Sequence, residues 1–150
     1  MSSTYISREL RRLVVERAGK LCEYCLISDT NGVSFQVDHI ISEKHGGSTT
    51  EDNLCYACIY CNLQKGTDLG SMNWRTGELV RFNNPRRDFW GEHFSLDEAT
   101  IQPTTEIGEV TVNLFDFNNN NRVIERQALI EVNRYPSPEA LRRMRKQSEG

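Results

Sequence analysis

The chain has 150 residues, of which 37% are hydrophobic and 26% are charged, and its formal net charge is −3. These values suit one compact domain with a modest core, and the acidic balance counts mildly against a nucleic-acid partner. No apolar run approaches the ~20 residues of a membrane-spanning helix, and the N-terminal segment lacks the apolar stretch of a signal peptide. We therefore expect a cytoplasmic protein without a membrane partner.

The charges are segregated along the chain. Residues 8–20 and 65–87 are rich in Lys and Arg, whereas residues 88–109 carry six acids and neither Lys nor Arg. Net charge is therefore a poor guide to the local potential. The basic clusters are either ordinary solvated charges or part of a nucleic-acid-binding face.

The first forty residues predict a helix, a turn and a strand. Ser7 can cap a helix over residues 7–18, and Gly19 would end it. Residues 28–32 favour a turn, and residues 33–37 alternate apolar and polar side chains as a half-buried strand does. Asp38 and His39, which follow this strand directly, are therefore expected at its end.

A second strand and a short helix are predicted next. Residues 54–57 favour the strand, and residues 58–66 favour a helix on which Asn62 and Lys65 share one face. The order strand, loop, strand, helix is a ββα unit.

The chain after residue 66 divides into two regions with different predicted structure. Residues 67–97 predict loop with short strands, in which four aromatic residues are expected to form a small satellite core. Residues 105–115 and 122–135 predict helices, separated by an asparagine-rich interruption and followed by a charged tail. The four aromatic residues are Trp74, Phe89, Trp90 and Phe94.

The five cysteines form two Cys-x-x-Cys pairs with one residue left over. Thiolates favour Zn²⁺, and four of them complete a closed tetrahedral shell. Redox-active or buried free thiols are the alternatives. Cys55 makes an overlapping pair with Cys58, but we expect it to be a small buried side chain, because Cys61 anchors the helix that carries Asn62. The predicted zinc ligands are Cys22, Cys25, Cys58 and Cys61.

The segment from residue 38 to residue 66 carries a signature. It contains Asp38-His39-Ile40, Gly46-Gly47, Asn53-Leu54 and Ala57-Cys58-x-x-Cys61-Asn62-x-x-Lys65-Gly66. With its spacing and its flanking cysteine pairs, this segment resembles the HNH endonuclease family, in the variant with Asn at the last signature position. The match covers about residues 20–66.

The resemblance implies an α+β fold with a ββα-metal core (His-Me finger), a four-cysteine structural zinc site and additional C-terminal helices. It implies a single HNH nuclease domain over residues 1–150. The core would span about residues 20–66, with the helix at 7–18 before it, a loop and strand extension at 67–97 and a helical region at 105–150.

The resemblance also implies hydrolysis of DNA phosphodiester bonds, leaving 5′-phosphate and 3′-hydroxyl ends. His39 would be the general base, because a neutral imidazole suits proton abstraction near neutral pH. Asp38 and Asn62 would hold one Mg²⁺ or Mn²⁺ through oxygen atoms. Asn53 would tie down the loop that aims His39, and Lys65 would meet a phosphate as a point charge.

Asp38 and His39 are adjacent residues at the end of the predicted strand. Neighbours in a regular strand point to opposite faces, so Asp38 and His39 share a site only under certain conditions. Either the strand ends or twists there, or the two side chains approach the phosphate from different sides.

The predicted partner is nucleic acid, in the form of double-stranded DNA, and the oligomeric state is open. The predicted phosphate contacts are Lys65, Arg75, Arg81, Arg86 and Arg87. The competing hypothesis is a non-catalytic, zinc-stabilised nucleic-acid-binding or adaptor module, and a zinc-dependent redox protein is the third. Metal-dependent nicking of DNA separates the first hypothesis from the second. Target sequence, DNA or RNA preference, nick or double-strand break, and biological role are left open.

Overall fold

In a computed structural model of the chain, residues 5–146 are described, and they combine helices with short strands in an α+β arrangement. The helices are α1 (Arg8–Arg17), α2 (Ile59–Lys65), α3 (Trp90–His93), α4 (Glu106–Leu114), α5 (Asn120–Glu131) and α6 (Pro138–Arg145). The strands are β1 (Phe35–His39), β2 (Leu54–Cys58), β3 (Gly70–Asn73), β4 (Glu78–Arg81), β5 (Phe94–Asp97) and β6 (Thr100–Pro103). None of the helices within residues 5–146 has the length and apolarity needed to cross a membrane.

The N-terminal helix forms as predicted. The Ser7 hydroxyl accepts a hydrogen bond from the Leu10 amide at 3.1 Å, which satisfies one of the free amides of the first turn. Gly19 follows the helix with a φ of +63°, a conformation that glycine adopts at little cost. One face of α1 packs Val14 against Leu54 of β2 in a small apolar cluster. The helix therefore packs against the end of the central hairpin at which β2 begins.

The central unit consists of the hairpin β1–β2 followed directly by α2. The strands are antiparallel, with Phe35 opposite Cys58 and His39 opposite Leu54. Strand β1 begins two residues later than the predicted 33–37 and so includes Asp38 and His39. Cys58 ends β2 and also caps α2, because its sulfur accepts a hydrogen bond from the Cys61 amide at 3.5 Å.

The chain beyond α2 forms two further hairpins and three longer helices. Strands β3 and β4 pair with each other, as do β5 and β6, and α4 packs on both hairpins. Strand β6 was not predicted. Helix α5 ends at Glu131, before the predicted limit at residue 135, and the charged tail is helical from Pro138 to Arg145. The end of the predicted tail, at 147–150, lies outside the described residues.

The main core joins the cysteine-rich segments to a cluster of aromatic rings. Tyr24 and Phe115 have ring centroids 4.8 Å apart, and Phe94 packs against Trp90 at 4.9 Å. The predicted satellite core is therefore wrong in two ways. Trp90 and Phe94 belong to the main core, and Trp74 is 82% exposed because it lies in the turn between β3 and β4.

Candidate metal centre and nuclease site

Four buried cysteines from two distant segments meet in the core. Their sulfur atoms all lie within 4.8 Å of one another, and the Cys25 and Cys58 sulfurs are 3.8 Å apart. A tetrahedral shell with Zn–S bonds of about 2.3 Å requires S–S separations of about 3.8 Å. The five cysteines are free thiols. The donor type, donor number and spacing therefore fit a closed zinc site, and the predicted clustering is confirmed for Cys22, Cys25, Cys58 and Cys61.

Two matching turns hold these sulfurs. The Cys25 amide donates to the Cys22 sulfur at 3.5 Å, just as the Cys61 amide donates to the Cys58 sulfur. The first turn is docked on the hairpin, because the amide of Glu23 donates to the carbonyl of Tyr56 at 2.9 Å. The metal centre therefore lies against β2, where a bound ion would hold the first turn, the hairpin and α2 together.

Cys55 lies outside the four-sulfur cluster. It is fully buried, and its thiol donates to the Tyr24 hydroxyl at 3.5 Å. Burial raises the pKa of Cys55 to about 12, so the side chain stays a neutral thiol. This arrangement agrees with the assignment of Cys58 and Cys61, rather than Cys55, to the cluster.

A buried arginine from α5 contacts the cluster. The Nη2 of Arg122 donates to the Cys61 sulfur at 3.2 Å, and its Nη1 donates to the Phe115 carbonyl at 2.8 Å. Only 9% of Arg122 is exposed. Burial alone would lower the pKa of Arg122, but its electrostatic interaction with the sulfurs of Cys61 and Cys25 outweighs that effect and raises the pKa. Nothing in the sequence pattern indicates this contact, because 61 residues separate the partners.

Asn53 ties down the loop between β1 and β2. Its amide nitrogen donates to the carbonyls of Ile41 and Ser48 at 2.9 and 2.8 Å, and its carbonyl accepts from the Ile41 amide at 2.9 Å. The residue is 8% exposed. The side chain thus replaces the missing backbone partners of an irregular loop.

His39 is held by a contact from the same loop. Its Nε2 lies 2.9 Å from the Thr49 hydroxyl, and the ring is half-buried. Because Asn53 binds the carbonyl of Ser48, the residue before Thr49, the loop contacts form one connected set. Thr49 was not among the predicted site residues, although it lies directly after the Gly46-Gly47-Ser48 turn.

Asp38 and Asn62 lie on one side of the hairpin. The Asn62 amide nitrogen donates to Gln36 at 2.9 Å, and Gln36 and Asp38 share a strand face because they are two residues apart. This amide orientation leaves the Asn62 carbonyl oxygen without a partner. The half-buried carboxylate of Asp38 makes no hydrogen bond or ion pair with any other residue in 5–146.

Strand alternation places His39 on the face opposite Asp38. His39 is opposite Leu54 and Asp38 is opposite Cys55, and β1 ends at His39. The strand therefore ends at His39, which is one of the conditions raised by the sequence, and alternation along the strand directs the two side chains to opposite faces.

Lys65 is almost completely buried, with 2% exposure. Its ammonium donates to the backbone carbonyl of His39 at 3.1 Å, which joins the last turn of α2 to the end of β1. The side chain that was expected to meet a phosphate thus contacts the backbone of the predicted base.

The remaining predicted phosphate contacts differ in their availability. Arg75 pairs with Glu109 at 2.9 Å, and Arg81 makes two hydrogen bonds to Asp88 at 2.7 and 2.9 Å. Arg86 pairs with the buried carboxylate of Glu23. Arg87 is exposed and forms no ion pair with the residues in 5–146.

Part of the chain that carries these contacts is similar to a known protein family. Residues 22–68 match the family model described as HNH endonuclease. The matched segment begins at the first cysteine of the cluster and contains β1, β2, α2 and all four clustered cysteines. A search of curated proteins finds no match.

Proposed function

We propose that the protein is a metal-dependent endonuclease that hydrolyses DNA phosphodiester bonds, because residues 22–68 match the HNH endonuclease family model. The observation that carries the proposal is the pair of unpartnered oxygen ligands, from Asp38 and Asn62, on one side of a hairpin–helix unit whose strand ends at His39. In this proposal β1, β2 and α2 form the ββα-metal core, and the whole chain folds as a single domain.

His39 is the proposed general base. If its Nε2–H donates to the Thr49 hydroxyl, Nδ1 keeps a free lone pair that accepts a proton from the attacking water. The Thr49 contact also limits rotation of the ring, so the acceptor nitrogen is held in one direction. A positioned base of this kind contributes about 10²–10⁴-fold to the rate.

Asp38 and Asn62 are the proposed ligands of a catalytic Mg²⁺ or Mn²⁺. Both offer the oxygen atoms that hard divalent cations prefer, and two protein ligands leave positions for water and phosphate oxygens. Such an ion would stabilise the charge on the phosphoryl oxygens and help the leaving oxygen. Gln36 orients the Asn62 amide so that its carbonyl oxygen, rather than its nitrogen, is available.

Asn53 and Lys65 act in this proposal by holding the base. Asn53 makes three hydrogen bonds within the loop that reaches His39 through Thr49. Lys65 holds the backbone carbonyl of His39 from the side of α2. A direct phosphate contact by Lys65 would require its ammonium to leave that carbonyl.

The proposed phosphate contacts rest most firmly on Arg87, whose charge is exposed and unpaired among the residues in 5–146. Arg75, Arg81 and Arg86 are already paired with carboxylates. A paired arginine adds little net potential, so binding of double-stranded DNA through these three would require exchange of partners.

The first test is nicking of supercoiled plasmid by zinc-loaded protein in the presence of Mg²⁺ or Mn²⁺. The metal-free control is omission of Mg²⁺, because EDTA would also compete for the zinc. His39→Ala should lose cleavage while keeping zinc and DNA binding. His45→Ala is the matched control, because His45 is exposed at the end of a short turn in the same loop. Equal cleavage by wild type and His39→Ala would remove His39 from the role of base.

The second test is a metal titration of Asn62→Ala. We expect cleavage by this variant to need a higher Mg²⁺ concentration, because one of two protein ligands is lost. An unchanged titration curve would exclude Asn62 as a ligand. If the wild-type protein binds DNA and zinc but does not cleave under any of these conditions, the adaptor hypothesis replaces the nuclease.

A further inference from the structure

A cavity of about 580 Å³ lies on another part of the surface from Asp38 and Asn62. It is bounded by the end of α1, the first cysteine turn, the loop that leads into α3, and α6. The cationic side chains that line it are Arg17, Arg86, Arg87, Arg142, Arg143 and Lys146. Its volume falls within the range of small-molecule sites, about 300–1,000 Å³.

The cavity has an excess of positive charge. Its six cationic residues face only three carboxylates, from Glu23, Asp88 and Glu139. The Glu23 side chain is fully buried and is shared by Arg86 and Arg143. The Asp88 carboxylate is engaged by Arg81, which is not part of the lining. Glu139 is likewise paired with Arg142 and Arg143. Arg17, Arg87 and Lys146 are therefore the lining cations without a carboxylate partner in residues 5–146, and their charge favours an anion.

Three buried polar atoms in this lining have no hydrogen-bond partner among the residues in 5–146. They are two donors, the Nε atoms of Arg17 and Arg86, and one acceptor, the Oδ1 of Asn83. Asn83 is only 3% exposed. Buried polar groups nearly always have partners, so this combination indicates a ligand that carries both anionic oxygens and a hydrogen-bond donor.

We propose that the cavity binds a nucleotide, with its phosphate against the arginines and an N–H group of its base at the Asn83 carbonyl. Guanidinium groups match phosphate oxygens in charge and geometry. A small inorganic anion would fill only a small part of the 580 Å³ cavity. The nucleotide is either free or the end of a nucleic-acid strand.

The position of the cavity is compatible with a nucleic-acid strand as the source of the bound nucleotide. The Nη2 of Arg17 donates to the Leu54 carbonyl at 2.8 Å, and Leu54 is opposite His39 in the hairpin. One edge of the cavity thus adjoins the unit that carries the proposed nuclease site. Nucleotide binding itself does not depend on cleavage, so the two proposals can fail separately.

The test is isothermal titration of zinc-loaded protein, without Mg²⁺, with three kinds of probe. These are inorganic phosphate, nucleoside 5′-monophosphates, and a short single-stranded oligonucleotide with or without a 5′-phosphate. We expect at least one monophosphate to bind about tenfold more tightly than inorganic phosphate, since the nucleotide can contact the arginines and Asn83 at the same time. A gain in affinity from the 5′-phosphate of the oligonucleotide identifies a strand end, and no gain identifies a free nucleotide.

The variant for this test is the double substitution Arg87→Ala and Lys146→Ala, which removes two exposed cations of the lining. We expect about tenfold weaker nucleotide binding. Arg145→Ala is the matched control, because Arg145 is exposed on α6 but is not part of the lining. His39→Ala should bind the nucleotide as the wild type does. The proposal is overturned if no nucleotide binds, or if the double variant and Arg145→Ala behave alike.

Discussion

Substitution of Arg122 tests whether helix α5 contributes to the zinc affinity of the metal centre. Four thiolates exceed the two positive charges of Zn²⁺ by two negative charges, and the buried guanidinium of Arg122 supplies one compensating charge. The substitution Arg122→Met keeps an unbranched apolar stem and removes the charge and all the hydrogen bonds of the guanidinium. Arg122→Lys restores the charge without the planar fork.

The expected magnitude follows from the contacts. A hydrogen bond to a charged group contributes about 1.5–3 kcal/mol, and the bond from Nη2 to the Cys61 sulfur at 3.2 Å is of this kind. Since about 1.4 kcal/mol corresponds to tenfold in affinity, Arg122→Met should weaken zinc binding by about 10–100-fold. This agrees with the usual effect of residues that support metal ligands. Arg122→Lys should recover part of the loss.

The assay is competition for zinc with a chromophoric chelator at neutral pH, with circular dichroism of the zinc-loaded protein to establish that each variant is folded. Arg134→Met is the control, because Arg134 is exposed beyond the end of α5. The reasoning would be refuted if folded Arg122→Met retained zinc within about threefold of the wild type.

Three further predictions concern single side chains. Cys55→Ala should keep full zinc content by metal analysis, because Cys55 lies outside the four-sulfur cluster; loss of one zinc would reassign the ligands. Asn53→Ala should lower the free energy of unfolding in urea by about 2–4 kcal/mol, because three hydrogen bonds are lost and their backbone partners stay buried. An effect below about 0.5 kcal/mol would show that the loop is held by other contacts. Burial raises the pKa of Asp88, but hydrogen bonds from Arg81 and Asn84 outweigh it and lower the pKa. The carboxylate therefore stabilises the protein above its unfolded pKa of about 3.9, and this contribution is lost as the pH falls through the lower folded value. The difference in unfolding free energy between wild type and Asp88→Asn should be constant near neutral pH and shrink below about pH 4; a difference that did not change with pH would remove the charge of Asp88 as its cause.

Local features of the chain were predictable where the deciding forces act between close neighbours. Ser7 caps its helix because the cap bond spans three residues. The pairing of Cys58 with Cys61 follows from a turn geometry that the Cys-x-x-Cys spacing already contains. The side-chain hydrogen bonds of Asn53 are also local, because its partners lie within 12 residues.

Long-range placement was decided by the tertiary structure. Trp74 is exposed because it lies in a turn, although its aromatic character favoured a core position. Lys65 turned away from solvent because the carbonyl of His39, 26 residues earlier, accepts its ammonium at the end of β1. Hydrophobic periodicity indicates which face of an element is buried, but it does not indicate which polar group a side chain on that element will bind.

The sequence was enough to predict the N-terminal helix, the four-cysteine cluster and the signature of residues 38–66, because short spacings are read directly from the chain. Only the tertiary structure brought Arg122 to the Cys61 sulfur and gathered Arg17, Arg86 and α6 around one cavity. Contacts of this kind join residues up to 126 positions apart, as between Arg143 and the Arg17 carbonyl. Their partners are set by how whole elements pack, and packing depends on the complete core rather than on any local pattern.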